Sequence, residues 1–213
     1  MQSQTISISE AKELDLKDPL SSFRDKFIFP QHEGENALYF TGNSLGLQPK
    51  SALDALRTEL DDWSEHGVEG HFRARNPWMH YHELFSEHLA QIVGAKPSEV
   101  VAMNALTVNL HLLLISFYNP QGSRRKIICE AKAFPSDRYA LLSQINFHGG
   151  NPDTDLIEIS PREGEELIRL EDIISAINAA GEELATVMIG GVNYYTGQLH
   201  NMAEITKAAH KVG

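Results

Sequence analysis

Cysteine is nearly missing from this chain: Cys129 is the single one in 213 residues, so no intramolecular disulfide can form. A reducing compartment is the simpler inference, and a thiol inside the apolar run from Lys126 to Glu130 reads as a core residue. Equally absent is any apolar run approaching the roughly 18–20 residues that a bilayer-spanning helix needs. Residues 1–18 mix charged and polar side chains with single aliphatics and hold no apolar signal-peptide core. Basic residues are few, 18 Lys plus Arg against 29 Asp plus Glu, for a net charge of -11. The longest basic run is Arg124-Arg125-Lys126, and on that balance nucleic acid and anionic membrane are excluded as expected partners. No G-x-G-x-x-G follows a strand-like run, which speaks against a nicotinamide dinucleotide domain. Internal repeats and low-complexity stretches are lacking too, and no metal site is assigned. What remains is a cytoplasmic, globular chain with 42% apolar residues, enough for a substantial core.

Along the chain, residues 1–30 suggest a short helix or two and a loop, and Leu38-Tyr39-Phe40 a brief strand ended by the loop Thr41 to Leu47. From Pro49 onward Leu53, Leu56, Leu60 and Trp63 recur at helical spacing, with Gly67 just past the end. A loop from Gly67 to Trp78 holds His71, Arg73 and Arg75, and a second helix runs through Leu84 to Val93 before Gly94. After that the pattern alternates regularly. Strands are expected at Lys126–Glu130, Leu156–Ile159 and Thr186–Gly190; helices at Ser136–Phe147, Leu170 to Gly181 and Met202–Lys211. Alternation of this kind implies an α/β fold whose sheet is covered by helices on both faces. A domain boundary is expected at 48/49, leaving an N-terminal segment (1–48) with a ligand loop and a larger domain (49–213). The last helix ends at Gly213 with no following strand, so the expectation is an N-terminal part of a longer protein.

Two stretches carry candidate chemistry. Val100-Val101-Ala102-Met103-Asn104-Ala105-Leu106-Thr107 followed by Val108, Leu112 and Ile115 reads as strand, tight turn, helix. Such a helix start offers backbone N–H groups and the positive end of a dipole to an anion, with the Thr107 hydroxyl as a further donor. Thr107 as a plain N-cap on a core helix is the competing reading. Phe134-Pro135-Ser136-Asp137 lies just beyond the strand ending near Glu130, at the carboxyl end where open α/β sheets place ligands. Ser136 as a helix cap with Phe134 as its hydrophobic staple is again the plain alternative. An aromatic face beside an anion site suits a planar phosphorylated cofactor.

In order along the chain stand Asn43-Ser44-Leu45-Gly46-Leu47-Gln48-Pro49, Gly70-His71, Met103-Asn104-Ala105-Leu106-Thr107-Val108-Asn109-Leu110-His111, Ala131-Lys132-Ala133-Phe134-Pro135-Ser136-Asp137, Pro161-Arg162-Glu163-Gly164-Glu165 and Tyr195-Thr196-Gly197-Gln198. In these motifs the sequence resembles kynureninase, from about Tyr39 to its last residue. The resemblance implies an α/β, PLP-dependent transferase-like (fold type I) large domain, truncated, with a mixed, mostly parallel sheet and flanking helices. It also implies a homodimer using pyridoxal 5'-phosphate (PLP) to hydrolyse L-kynurenine or 3-hydroxykynurenine to anthranilate or 3-hydroxyanthranilate plus L-alanine, in tryptophan catabolism and NAD biosynthesis.

By the same resemblance, Leu106 and Thr107 match positions that hold the cofactor phosphate, and Phe134 matches the residue stacked on its ring. Pro135, Ser136 and Asp137 match the segment lining the cofactor. Ser44 and His71 match substrate-contacting positions. Gly190 stands where the family has a Ser or Thr cofactor contact, and it brings no hydroxyl. The family's cofactor-binding lysine and the aspartate that pairs with the pyridinium nitrogen have no match up to Gly213, and Lys132 is not such a match. No catalytic residue is therefore assigned, and these 213 residues alone are expected to be inactive. The alternative function is a non-catalytic module that binds a phosphorylated ligand or pairs with a subunit.

Overall fold

Fifteen residues of strong helical patterning, Ala52–His66, are the longest helix of the chain's first half. The computed structural model describes residues 6–213, so the first five residues of the 1–48 segment lie outside the described residues. The chain divides into two units, Met1–Val101 and Ala102–Gly213, whereas the sequence suggests a boundary at 48/49.

The first unit opens with helix α1 (Ile8–Lys17), started by a capping box in which the Ser7 hydroxyl accepts from the Glu10 amide and the Glu10 carboxylate accepts from the Ser7 amide. Two-residue strands follow: β1 (Phe27–Ile28) and β2 (Gln31–His32), then β3 (Glu35–Asn36) and β4 (Gln48–Pro49), with β1 antiparallel to β4 and β2 to β3. Between β2 and β3, Glu33 and Gly34 both take positive φ, 52° and 85°, as a two-residue hairpin requires. The expected strand at Leu38–Phe40 does not form; its backbone lies in no ladder and the Leu38 and Phe40 side chains are exposed. A strand needs a partner edge, and the apolar residues there find neither partner nor core.

Helix α2 (Ala52–His66) ends at Gly67, whose φ of 53° is a conformation open to glycine at little cost. Leu53, Leu56, Leu60 and Trp63 keep their helical spacing, yet all are at least half exposed. The side of α2 that is covered is the polar one. Asp62 is buried there and accepts hydrogen bonds from the Arg75 amide and from Arg75 Nε, both at 2.8 Å. A one-turn helix α3 (Gly70–Arg73) follows, and α4 (Ser86–Val93) closes on Gly94 with φ 70°.

In the second unit α5 (Leu106–Phe117) is preceded by Asn104 at φ 26°. The expected strand at Val100–Met103 is corrected: no residue of that run belongs to a ladder. Strands β5 (Lys126–Glu130), β6 (Leu156–Ile159) and β7 (Leu184–Met188) form a sheet of order β6-β5-β7, parallel throughout. The third strand therefore begins and ends two residues before the expected 186–190. Helices α6 (Pro135–Phe147), α7 (Pro152–Asp155), α8 (Leu170–Ala180) and α9 (Met202–Lys211) complete the unit.

Alternation on β5 assigns the two layers. Ile127 and Cys129 pack with Leu114, Tyr118, Ala140, Leu141 and Ile145, from α5, its C-cap and α6. Ile128 packs with Ile173, Ile177, Ile205 and Ala208 from α8 and α9. A sheet covered on both faces explains why β5 is a continuous apolar run and confirms the α/β class. Cys129 is the core thiol expected: burial pushes it up to about 12, far from a reactive thiolate.

Candidate cofactor and substrate site

Helix α5 begins without a side-chain cap. Its N-cap is Ala105, in extended conformation, so the reading of Thr107 as N-cap is corrected. Leu106 is the first helical residue and is exposed; Thr107 is the second and half-buried. Alanine offers no oxygen to the first-turn amides, which leaves N–H donors at the positive end of the dipole together with one threonine hydroxyl. Asn109, one turn in, braces the approach by donating from Nδ2 to the Met103 carbonyl at 3.0 Å, and its buried Oδ1 has no partner among the described residues.

At the carboxyl edge of the sheet, the turn after β5 carries Lys132 at φ 58° and leads into α6. Phe134 is the N-cap of α6, with Pro135 at the first helical position, so the helix starts one residue before the expected Ser136. No side chain caps it; the Ser136 hydroxyl bonds Asp137 Oδ1 at 3.3 Å, not the backbone. Asp137 supplies the acidic residue of that first turn. Half of the Phe134 surface is open, and its ring meets Tyr194 edge-on, 5.2 Å between centroids at 80°.

Gly190 follows β7 and donates its N–H to Glu130 Oε2 at 3.2 Å, which ties the ends of β5 and β7 together. A Cβ at Gly190 would stand 3.3 Å from the Val192 carbonyl oxygen and 3.5 Å from Glu130 Oε1, so even a small side chain there would be tight. Beyond it, Asn193 Oδ1 accepts from the Tyr195 and Thr196 amides and the Thr196 hydroxyl, and Gln198 bonds both the amide and the carbonyl of Ile168. A cavity of about 520 Å³ opens here, lined by Lys132, Pro161, Glu166, Tyr194, Tyr195 and Gln198 among others. Three motifs far apart in sequence thus meet at this cavity, through Ala131 and Lys132, through Pro161 and Glu165, and through Tyr195, Thr196 and Gln198, while Phe134 reaches it only by its ring contact with Tyr194. Leu106 and Thr107 belong to the same unit, and no hydrogen bond among the described residues joins them to Phe134.

Glu130 and Tyr194 escaped the sequence reading. An acid closing an otherwise apolar strand, directly before a turn at the ligand edge, is the signal that points to Glu130. Its carboxyl is buried, and desolvation pushes its pKa up, opposed by the Gly190 N–H and by His200. A raised carboxyl contributes stability in the protonated form, and that contribution is lost as pH rises from the ordinary carboxylate range through the folded-state value. Glu130→Gln keeps an acceptor for Gly190 but does not titrate. Its stability relative to the parent should therefore increase as pH rises, measured by urea unfolding across the acid range to neutrality. A difference that stays constant with pH refutes this.

In the first unit Ser44 sits in an exposed turn, its amide donating to the Thr41 carbonyl at 2.9 Å, with Tyr39 Oη braced on the Leu45 carbonyl at 2.6 Å. His71 lies on α3, exposed, with Nδ1 2.8 Å from the Val68 carbonyl.

The donor set fits PLP in two respects: uncapped amides with a hydroxyl suit a dianionic phosphate, and the half-open Phe134 ring suits a planar heterocycle. It does not fit in a third, since the Gly190 N–H is already engaged by Glu130. Among the described residues no helix is long and apolar enough to cross a membrane.

No family model matches the chain. It is 59% identical over 203 residues to the kynureninase of Flavobacterium psychrophilum, covering 95% of this chain and 48% of that protein. To the kynureninase of Christiangramia forsetii it is 58% identical over 203 residues, with the same two shares, 95% and 48%. To that of Myxococcus xanthus it is 54% identical over 208 residues, 97% of this chain and 49% of that protein. The chain spans about half the length of the curated relatives it matches.

Proposed function

Because the chain belongs to the kynureninase family over the length it shares with those relatives, we propose that it forms the cofactor-gripping portion of a PLP-dependent kynureninase. The reaction is hydrolysis of a carbon–carbon bond in a ketone: L-kynurenine or 3-hydroxykynurenine gives anthranilate or 3-hydroxyanthranilate plus L-alanine. Tryptophan catabolism and NAD biosynthesis are the setting, and a cytoplasmic homodimer the form. Leu53, Leu56, Leu60 and Trp63 on α2, open in the single chain, support burial against a second copy.

The first-turn amides of α5 and the Thr107 hydroxyl hold the cofactor phosphate. Phe134 lies against the ring, and Pro135, Ser136 and Asp137 line its rim. Gly190 keeps the backbone close, with no hydroxyl to add. Ser44 and His71 orient the aryl ketone of the substrate. When bound, PLP supplies an electron sink for carbanion character developing on the amino acid. No residue of this chain is assigned to hold the cofactor covalently.

What carries the reading is 59% identity to a kynureninase, together with a helix start at Leu106 whose amides no side chain caps. Thr107→Ala, in the whole protein that contains this chain, should weaken PLP retention by about 1–2 kcal/mol, one charge-assisted hydrogen bond. Equilibrium dialysis against PLP measures this, and anthranilate fluorescence from L-kynurenine measures turnover. Unchanged affinity returns Thr107 to a structural role; a PLP-loaded protein that leaves kynurenine intact refutes the activity.

A further inference from the structure

Two carboxylates one helical turn apart on α2, Glu59 and Asp62, face the same side. Asp62 is buried and takes the Arg75 amide and Arg75 Nε. Glu59 takes Asn76 Nδ2 at 3.1 Å with Oε1 and Trp78 Nε1 at 3.0 Å with Oε2. Between them they fix the segment Arg75–Trp78 to the helix at four hydrogen bonds.

The fixed indole has a shaped seat. Gly70 is buried, and a Cβ built on it would fall 2.4, 2.5 and 2.8 Å from three carbons of the Trp78 ring. Since Gly70 is helical with φ -55°, its glycine identity serves close approach rather than backbone freedom. Against the same indole stands the His71 imidazole, edge-on at 5.5 Å and 74°. The Val68 carbonyl, 2.8 Å from Nδ1, can only accept, so Nδ1 carries the proton of the neutral ring and Nε2 keeps its lone pair.

We infer that Trp78 is a positioning residue: seated on Gly70 and clamped by Glu59, its ring holds His71 in the Nδ1–H tautomer and presents Nε2 as a hydrogen-bond acceptor. Resting on the kynureninase reading, in which His71 contacts substrate, the ligand group that Nε2 meets is an N–H or O–H donor on the substrate's aromatic ring. Trp78 touches no reacting atom; it acts through His71.

Long-range 1H–15N correlation spectra of the imidazoles, with His71→Gln to assign the resonance, read the tautomer without substrate. In the parent protein His71 should show the Nδ1–H pattern. Trp78→Ala should lower the Nδ1–H to Nε2–H ratio about fivefold, the change expected for one hydrogen bond of ordinary net strength. Gly70→Ala should do the same while keeping the tryptophan and a helix-compatible backbone, which separates ring displacement from unfolding. Trp78→Phe keeps an aromatic ring but loses the Glu59 clamp and the outer ring edge over Gly70, so its shift should be smaller than that of Trp78→Ala. An Nε2–H parent, a Gly70→Ala protein with an unaltered ratio, or a Trp78→Phe protein as shifted as Trp78→Ala each overturns the proposal. Because the spectra need no substrate, failure here leaves the kynureninase reading standing, and failure of that reading leaves the spectra unchanged.

Discussion

Replacing Ile127 with alanine should destabilise the second unit by about 2–5 kcal/mol, and replacing Ile128 should do so by a similar amount. Both side chains are fully buried and they are neighbours on β5, yet they belong to opposite cores. Ile127 fills the layer made with Leu114, Leu141 and Ile145; Ile128 fills the layer made with Ile173, Ile177 and Ile205. Truncation of either leaves a cavity that its own layer cannot close, because the sheet separates the two. The two side chains share no partner but stand side by side on one strand, so a departure from additivity, of about 0.5–3 kcal/mol, reports coupling through that backbone. A summed loss of roughly 4–10 kcal/mol is comparable with the whole stability of an ordinary domain, so the double variant should lose its cooperative urea transition. Circular dichroism through urea titrations of the single and double variants measures all three. Should either single change cost less than about 1 kcal/mol, that face of β5 is not buried and the doubly covered sheet is wrong.

The same strand shows why so much of the second unit is legible in the sequence. Lys126 to Glu130 holds a run of apolar residues bounded by charge, and a strand buried on both faces leaves that trace. Helices α6, α8 and α9 follow from period and from Gly, Pro and Asn at their ends. Val100–Met103 carries a similar trace and is no strand, because pairing depends on a neighbouring edge that local sequence does not encode. The α2 stripe errs in another way: its spacing correctly gives the helix, but Leu56 and Trp63 face outward while Asp62 is covered. A buried carboxylate satisfied by Arg75, thirteen residues on, is a tertiary fact. At the candidate site, Phe134 and Thr107 stand out through residue type and position relative to a strand or helix end. Glu130 and Tyr194 do not, since their importance lies in contacts with Gly190 and Phe134 some sixty residues away. The plain alternative of side-chain capping fails at both candidate helices: Ala105 and Phe134 occupy the caps, and neither can donate or accept through its side chain.

Phe134→Ala in the whole protein should weaken PLP retention by about 2–4 kcal/mol, the sum of lost apolar contact and the stacking increment of an aromatic pair. The effect exceeds that of Thr107→Ala because a ring face contacts the full width of a planar heterocycle, whereas a hydroxyl supplies one hydrogen bond. Stability of the protein itself should change much less. Half of the Phe134 surface is open, so truncation removes little from the core, and the residue serves α6 as an N-cap through its backbone alone. Tyr194, edge-on to the ring at 5.2 Å, loses one aromatic contact of modest strength. Phe134→Tyr keeps the ring face and should retain PLP to within a few-fold; Phe134→Leu keeps apolar contact without the π face and should fall between the two. Equilibrium dialysis gives retention and urea titration gives stability for the same three variants. A Phe134→Ala protein that holds PLP as tightly as its parent removes Phe134 from the cofactor site. One that loses PLP and stability in equal measure makes the ring a structural element instead, and only a large loss of retention with a small loss of stability agrees with an aromatic held open at the sheet edge to meet a cofactor.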